Sequence, residues 1–278
     1  MSRNPQEFID RYGPAALVLG GSEGIGRRFA EELAARGFEL VLIARRVEPL
    51  ELAAAEIRAA HGVPVTTYAL DLSAPDLEAI AHELPARHEI GLVIHNAGAT
   101  HGAGRFLDEP LSKALALARL NCIAPLTLAH AALTPMRARG RGGLVIVSSM
   151  SGLVGSGLIA TYAAAKAFEI ALCEGLHWEL APEGVDVMCA VAGLTDTPAM
   201  RGSGLSFRAA AERGFNPMDP RDVARGALEH LGHTALWYAA GASAAAAMRG
   251  VPREALVVSM TEAAAALYEI ALAAPRPV

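Results

Sequence analysis

Residues 15–44 read AALVLGGSEGIGRRFAEELAARGFELVLIA, and this stretch decides the fold. An unbroken apolar run at 15–19 ends in glycines, a segment from Ile25 to Arg36 then places apolar residues at helical spacing, and a second apolar run follows at 39–44. The reading is strand, helix, strand. Gly20, Gly24 and Gly26 in the intervening turn allow a tight bend and close backbone approach to an anion, whose charge the free N–H groups of the helix start favour. Together with Ser22, Glu23 and Ile25 they are the candidate pyrophosphate-binding turn.

The alternation continues outward. Helices are expected at 48–60, 76–84, 111–138 and 160–180, with apolar strands at 63–69, 91–96, 143–149 and 185–192. Continuous apolar strands separated by helices are what a parallel sheet covered on both faces requires. The expected architecture is α/β, a Rossmann-type doubly wound parallel sheet in a single domain spanning 1–278, with no Pro-, Gly- or Ser-rich linker to divide it. After Gly193 the rhythm breaks, and 194–217 reads as a lid or substrate segment. A helix at 220–231, a strand at 235–240 and helical stretches at 242–249 and 253–272 complete the chain, so that 242–278 forms a C-terminal helical extension.

Composition narrows the function. With 24 basic and 29 acidic residues, a net charge of -5 and 53% hydrophobic residues, the chain carries no basic footprint for nucleic acid and has ample material for a core. The charged opening MSRNPQEFIDRY does not resemble a secretory signal, and the uncharged run 235–248 is too short to span a bilayer. A cytoplasmic protein without a membrane partner is expected. Cys122, Cys173 and Cys189 form no CxxC pair, and the nine histidines include no HExxH, so neither a disulfide framework nor a metal site is expected.

Two positions along the chain carry chemistry. At the end of the second strand, where NAD-binding dinucleotide folds place an acid, the chain reads Ala44-Arg45-Arg46. Guanidinium groups there would hold a 2′-phosphate that a carboxylate would repel, which favours NADP(H) over NAD. Further on, Ser149 closes a strand, and Tyr162 and Lys166 stand four apart on one helix face. With five tyrosines in the chain and only two lysines, Lys113 and Lys166, about 0.04 such pairs are expected by chance. An ammonium beside a phenol is expected to lower its pKa from about 10 towards neutrality, making it a usable proton donor and acceptor.

These pieces are accompanied by Asp71-Leu72 after the third strand, Asn96-Ala97-Gly98 after the fourth, and Asn121 in the following helix. In that order and spacing, over roughly residues 14–198, the sequence resembles the short-chain dehydrogenase/reductase family. The resemblance implies that Tyr162 protonates the substrate carbonyl oxygen, Ser149 orients it, Lys166 tunes the phenol and holds the nicotinamide ribose, and Asn121 anchors a water linking Lys166 to solvent. It further implies that Asp71 and Leu72 contact adenine, Asn96, Ala97 and Gly98 shape the strand end beneath the cofactor, and Thr197 grips the amide or pyrophosphate. Leu19, His95 and Ala192 depart from the family pattern, and the C-terminal run typical of tetrameric members is absent. A homo-oligomer is expected, with a dimer through the helices near 111–138 and 160–180 as the first choice over a tetramer.

Apolar residues flank this chemistry: Leu194, Met200, Leu205, Phe207 and Phe215 in the lid, and Met150, Leu153 and Val154 after Ser149. They are expected to wall an apolar pocket for a small-molecule carbonyl substrate. Arg201, Arg208 and Arg213 read as a solvated face, His95 as a core histidine, and Cys122 as a small packed hydrophobe. The expected activity is NADPH-dependent reduction of a ketone or aldehyde. The alternatives are an NAD-dependent alcohol dehydrogenase and a non-catalytic NADP-binding regulatory protein, and retention of Asn121, Ser149, Tyr162 and Lys166 together disfavours the latter.

Overall fold

The computed structural model describes residues 5–74, 76–100 and 102–272; positions 273–278 of the expected C-terminal extension lie outside them. Seven strands form one parallel sheet in the order β3-β2-β1-β4-β5-β6-β7. They are β1 (Ala15–Leu19), β2 (Glu39–Ala44), β3 (Val65–Ala69), β4 (Ile90–His95), β5 (Gly142–Ser149), β6 (Val185–Ala192) and β7 (Leu236–Tyr238). The order reverses between β1 and β4, and the crevice at the carboxyl ends of those strands is where doubly wound folds bind ligands. Strands β1, β4 and β6 are buried along their whole length, which is why their sequences are continuously apolar rather than alternating.

Helices cover both faces. α2 (Gly24–Ala34), α3 (Val47–His61) and α10 (Pro220–His230) bury Phe29, Leu33, Leu50 and Leu228 in one core cluster. The other cluster includes Leu84, Leu128 and Ile170, contributed by α4 (Leu77–Arg87), α6 (Ala124–Arg139) and α7 (Ala160–Leu180). The single helix expected over 111–138 is instead α5 (Leu111–Ala118) and α6 joined by a wider π-helical turn, Arg119–Ile123. The extra residue of such a turn shifts the helical register, and Asn121 within it is fully buried. By length and composition the run Leu111–Arg139 matches a membrane-crossing helix, yet α6 lies on the sheet and buries Leu128, Leu133 and Met136 there.

The sequence reading assigned no element before β1, where the structure has α1 (Pro5–Tyr12). Phe8 stacks edge-on against Tyr12 and Phe38, and Gly91 lacks the Cβ that would collide with the Tyr12 carbonyl. Asp186 on β6 accepts bonds from Arg11 Nε at 2.5 Å, Arg11 Nη2 at 2.8 Å and Tyr12 Oη at 2.5 Å. Asp186→Ala removes the acceptor that these donors share, and urea unfolding is expected to show a loss of about 2–3 kcal/mol, at the lower end for a broken ion pair because Arg11 is partly solvated. An unchanged unfolding midpoint would show that α1 is held by its aromatic packing alone.

Candidate active site

The first turn is built as its glycines predict. Gly20 and Gly24 adopt φ of +78° and +55°, and a Cβ on Gly26 would collide with the Gly20 carbonyl. Side chains there would close the turn and cover the N–H groups at the start of α2. A Cβ on Gly20 would come within 3.0 Å of the Ala97 backbone, and Asn96 Nδ2 lies beside both Gly20 and Gly26. The ends of β1 and β4 therefore support each other under the loop. Thr197 reaches it from the other side: its Cγ2 lies 3.1 Å from where a Gly24 Cβ would stand, while its Oγ1 accepts from Met200 N at 3.2 Å and caps α8 (Pro198–Arg201). Ser22 and Ile25 stand half-buried in the same turn.

Arg45 and Arg46 are exposed at the end of β2, and Arg46 is paired with Glu23 of the glycine turn. Asp71 caps its own turn by accepting from Ser73 N at 2.9 Å and Ser73 Oγ at 2.7 Å, bonds that hold its carboxyl below the usual range. Leu72 points the other way, into the core, where it packs as an aliphatic side chain. An open glycine turn at a helix start with cations at the adjoining strand end is a donor set that fits a phosphorylated dinucleotide.

The chemical groups converge at the end of β5. The Ser149 hydroxyl faces the Tyr162 phenol and favours its ionised form, and both border one cavity. Lys166 lies beneath the phenol, its Nζ 5.9 Å from the Tyr162 ring centre. Asn121 is bonded both ways to the loop after β4, accepting from Ala99 N at 3.3 Å and donating to Ala99 O at 3.1 Å. Gly98 fits between, since a Cβ there would stand 2.8 Å from Asn121 Oδ1 and 3.4 Å from Lys166 Nζ.

The expectation for the phenol requires correction. Burial raises the Tyr162 pKa, and the opposing pull of Lys166 does not reverse the shift. Glu169, which the sequence reading missed, adds a smaller push in the same direction as burial. Lys166 Nζ donates to both carboxylate oxygens of Glu169 at 2.9 Å, and Glu169 is fully buried. Burial lowers the Lys166 pKa, but the carboxylate more than offsets it, so the ammonium is firmly protonated. The available signal was one acid three residues after Lys166 in the apolar run AFEIAL. His95 is buried in the core. Burial and the nearby ammonium push its pKa down to about 3, so the imidazole stays neutral at physiological pH, with Nε2 unpartnered among the described residues.

The cavity beside Ser149 and Tyr162 has a volume of about 550 Å³. Its walls include Met150, Leu194, Met200, Leu205 and Phe215, as the sequence suggested. Leu153, Val154 and Phe207 do not border it; Val154 is buried. The far wall comes from Met248, just after α11 (Ala242–Ala246), and from α12 (Arg253–Leu267), through Met260, Ala264 and Leu267, with Tyr268 just beyond. Arg201 and Arg208 turn away into surface ion pairs with Asp196 and with Glu212 and Glu269.

Known proteins resemble this chain in sequence and in fold. Residues 14–205 match the family model described as short chain dehydrogenase. A 7beta-hydroxysteroid dehydrogenase of Clostridium sardiniense is 33% identical over 226 residues, covering 81% of this chain and 85% of the relative. Among solved structures, one of a 7beta-hydroxysteroid dehydrogenase superposes with a TM-score of 0.84 at 27% identity, covering 94% of this chain and 99% of the other. A short-chain dehydrogenase from Sphingobium yanoikuyae in complex with NADPH superposes with a TM-score of 0.77 at 29% identity, covering 90% and 98%.

Proposed function

The chain belongs to the short-chain dehydrogenase family, and from that premise we propose that it is an NADPH-dependent carbonyl reductase acting on bulky, mainly apolar ketones or aldehydes. It is an oxidoreductase acting on CH–OH and C=O groups. The observation that carries the finer reading is the cavity of about 550 Å³ in which Ser149 and Tyr162 stand among methionine and leucine side chains. That volume lies in the range of pockets that enclose a drug-sized ligand. Similarity to 7beta-hydroxysteroid dehydrogenases supports a polycyclic ketone as the substrate class.

In this reading the substrate carbonyl lies with its oxygen between Ser149 and Tyr162. Ser149 orients the oxygen, and Tyr162 gives it the phenolic proton as the carbonyl carbon is reduced. When bound, the cofactor supplies the hydride. Gly20, Ser22, Glu23, Gly24, Ile25 and Gly26 would hold the pyrophosphate, with Thr197 closing over them. Arg45 and Arg46 would hold the 2′-phosphate, which must draw Arg46 from Glu23. Asp71 and the backbone of Leu72 would border the adenine, with Asn96, Ala97 and Gly98 forming the floor under the nicotinamide half. Lys166 would hold the ribose, and Asn121 would anchor the water that returns a proton. Segment 194–217 would act as a lid, opposed by α12. NADPH oxidation with a panel of bulky cyclic ketones tests this reading: turnover is expected with members of the panel, and none would overturn it.

We also assign a homodimer. The groove between α6 and α7, lined by Leu126, Leu133, Leu172 and Leu176, leaves apolar side chains partly uncovered, and Leu126 is 45% exposed. Sedimentation velocity is expected to give a dimer for the parent chain and a monomer for the double variant Leu126→Asp, Leu176→Asp. A parent monomer would refute the assignment.

A further inference from the structure

Lys166 is held by three acceptors: both oxygens of Glu169 at 2.9 Å and the Val147 carbonyl at 3.1 Å. We propose that Glu169 is a positioning residue that neutralises the Lys166 ammonium, keeps the proton on Tyr162 and so biases the site towards carbonyl reduction. The proposal rests on the reading of Tyr162 as proton donor.

A lysine facing Tyr162 alone would form a neutral pair with its phenolate, so that ionisation would relieve an isolated buried cation. With Glu169 present, the three groups are neutral while the phenol holds its proton and carry one net negative charge after losing it. Taking that charge into a buried site opposes ionisation. Burial of Tyr162 then dominates, as the upward direction of its pKa indicates.

Nothing else facing the cluster supplies a compensating charge among the described residues. From β4 comes the neutral imidazole of His95, and from the π-helical turn the carboxamide of Asn121 and the thiol of Cys122, whose pKa burial raises. Strand β5 contributes the hydroxyls of Ser148 and Ser149; Ser148 Oγ donates to the Lys166 carbonyl at 2.8 Å and interacts with Glu169. The Cys189 thiol faces Lys166 from β6, and the Tyr268 phenol faces Tyr162 from the end of α12. On α7 itself Cys173 lies between Glu169, the more distant Glu174 and Cys189.

Reduction and oxidation ask opposite things of the phenol. In reduction a C–H and an O–H bond form on the substrate, the C=O π bond and the phenolic O–H bond break, and hydride leaves the reduced nicotinamide. Alcohol oxidation reverses every one of these changes and needs the phenolate as base. A device that holds the proton on Tyr162 therefore serves the first direction at neutral pH.

The test reads the phenol directly. Ultraviolet titration of phenolate in the NADP complex, corrected with the same protein carrying Tyr162→Phe, gives the ionisation midpoint of Tyr162 whether or not a substrate is in hand. Glu169→Gln is expected to lower that midpoint by about one pH unit or more. Glu169→Met, which removes the charge at similar length, should do the same, and Glu169→Asp should stay near the parent. With a substrate, the acid limb of kcat/KM for alcohol oxidation, which rises as the phenolate forms, should move to lower pH in parallel, a shift that a merely structural residue would not produce. An unchanged or higher midpoint in the Gln and Met variants overturns the role of Glu169. Absence of ketone turnover would instead overturn the reductase reading, leaving the titration to decide Glu169 separately.

Discussion

Tyr162→Phe is expected to lower kcat/KM for ketone reduction by at least about 10³-fold, corresponding to about 4 kcal/mol of transition-state stabilisation, while NADPH binds within about threefold of the parent. The substitution removes one oxygen and leaves the ring over Lys166, so the packing around Lys166 and Glu169 persists. What disappears is the donor that meets developing charge on the carbonyl oxygen. Steady-state reduction kinetics and a fluorescence titration of NADPH measure the two halves of this expectation. Equal losses in both would indicate a collapsed site, and undiminished turnover would remove Tyr162 from the chemistry.

The second large effect is in cofactor choice. Exchanging Arg45 for Glu and Arg46 for Ser is expected to weaken NADPH binding by about 100-fold, while NADH changes by less than about threefold. Each lost charge-assisted bond to phosphate is worth about 1.5–3 kcal/mol, and the lower end applies because both side chains are exposed. The introduced carboxylate adds repulsion that only the 2′-phosphate feels. Side-by-side titration of the two cofactors is the measurement. A parent protein that prefers NADH would show that these arginines serve the surface, with Arg46 merely paired to Glu23.

Much of the fold was legible because buried parallel strands announce themselves as continuous apolar runs. The expected strands at 15–19, 39–44 and 185–192 and the helix at 160–180 coincide with β1, β2, β6 and α7. What escaped depended on partners distant in sequence. The eight residues of α1 carry few apolar groups, and their anchor, Arg11 with Asp186, joins positions 175 apart. The short helices after β6, α8 and α9 (Phe207–Glu212), are too brief for a period to emerge. In the site, Ser149, Tyr162 and Lys166 were readable from residue type and spacing. The wall from Met260 to Tyr268 was not, because only folding brings α12 over the cavity. Glu169 was visible as a residue, but its pairing depends on complete burial beside Lys166, and the direction of the phenol's shift is set first by the burial of Tyr162 itself, which only the fold shows.

The most direct test of the account follows the hydride and the proton in one reaction. The protein is incubated with NADPH deuterated at the transferable position and a bulky cyclic ketone, and the product is analysed by mass spectrometry and NMR. The account predicts one deuterium on the carbinol carbon of the product, formed by the parent chain and not by Tyr162→Phe. An alcohol without the label, equal labelling by the Tyr162→Phe variant, or no product from any ketone in the panel would contradict it.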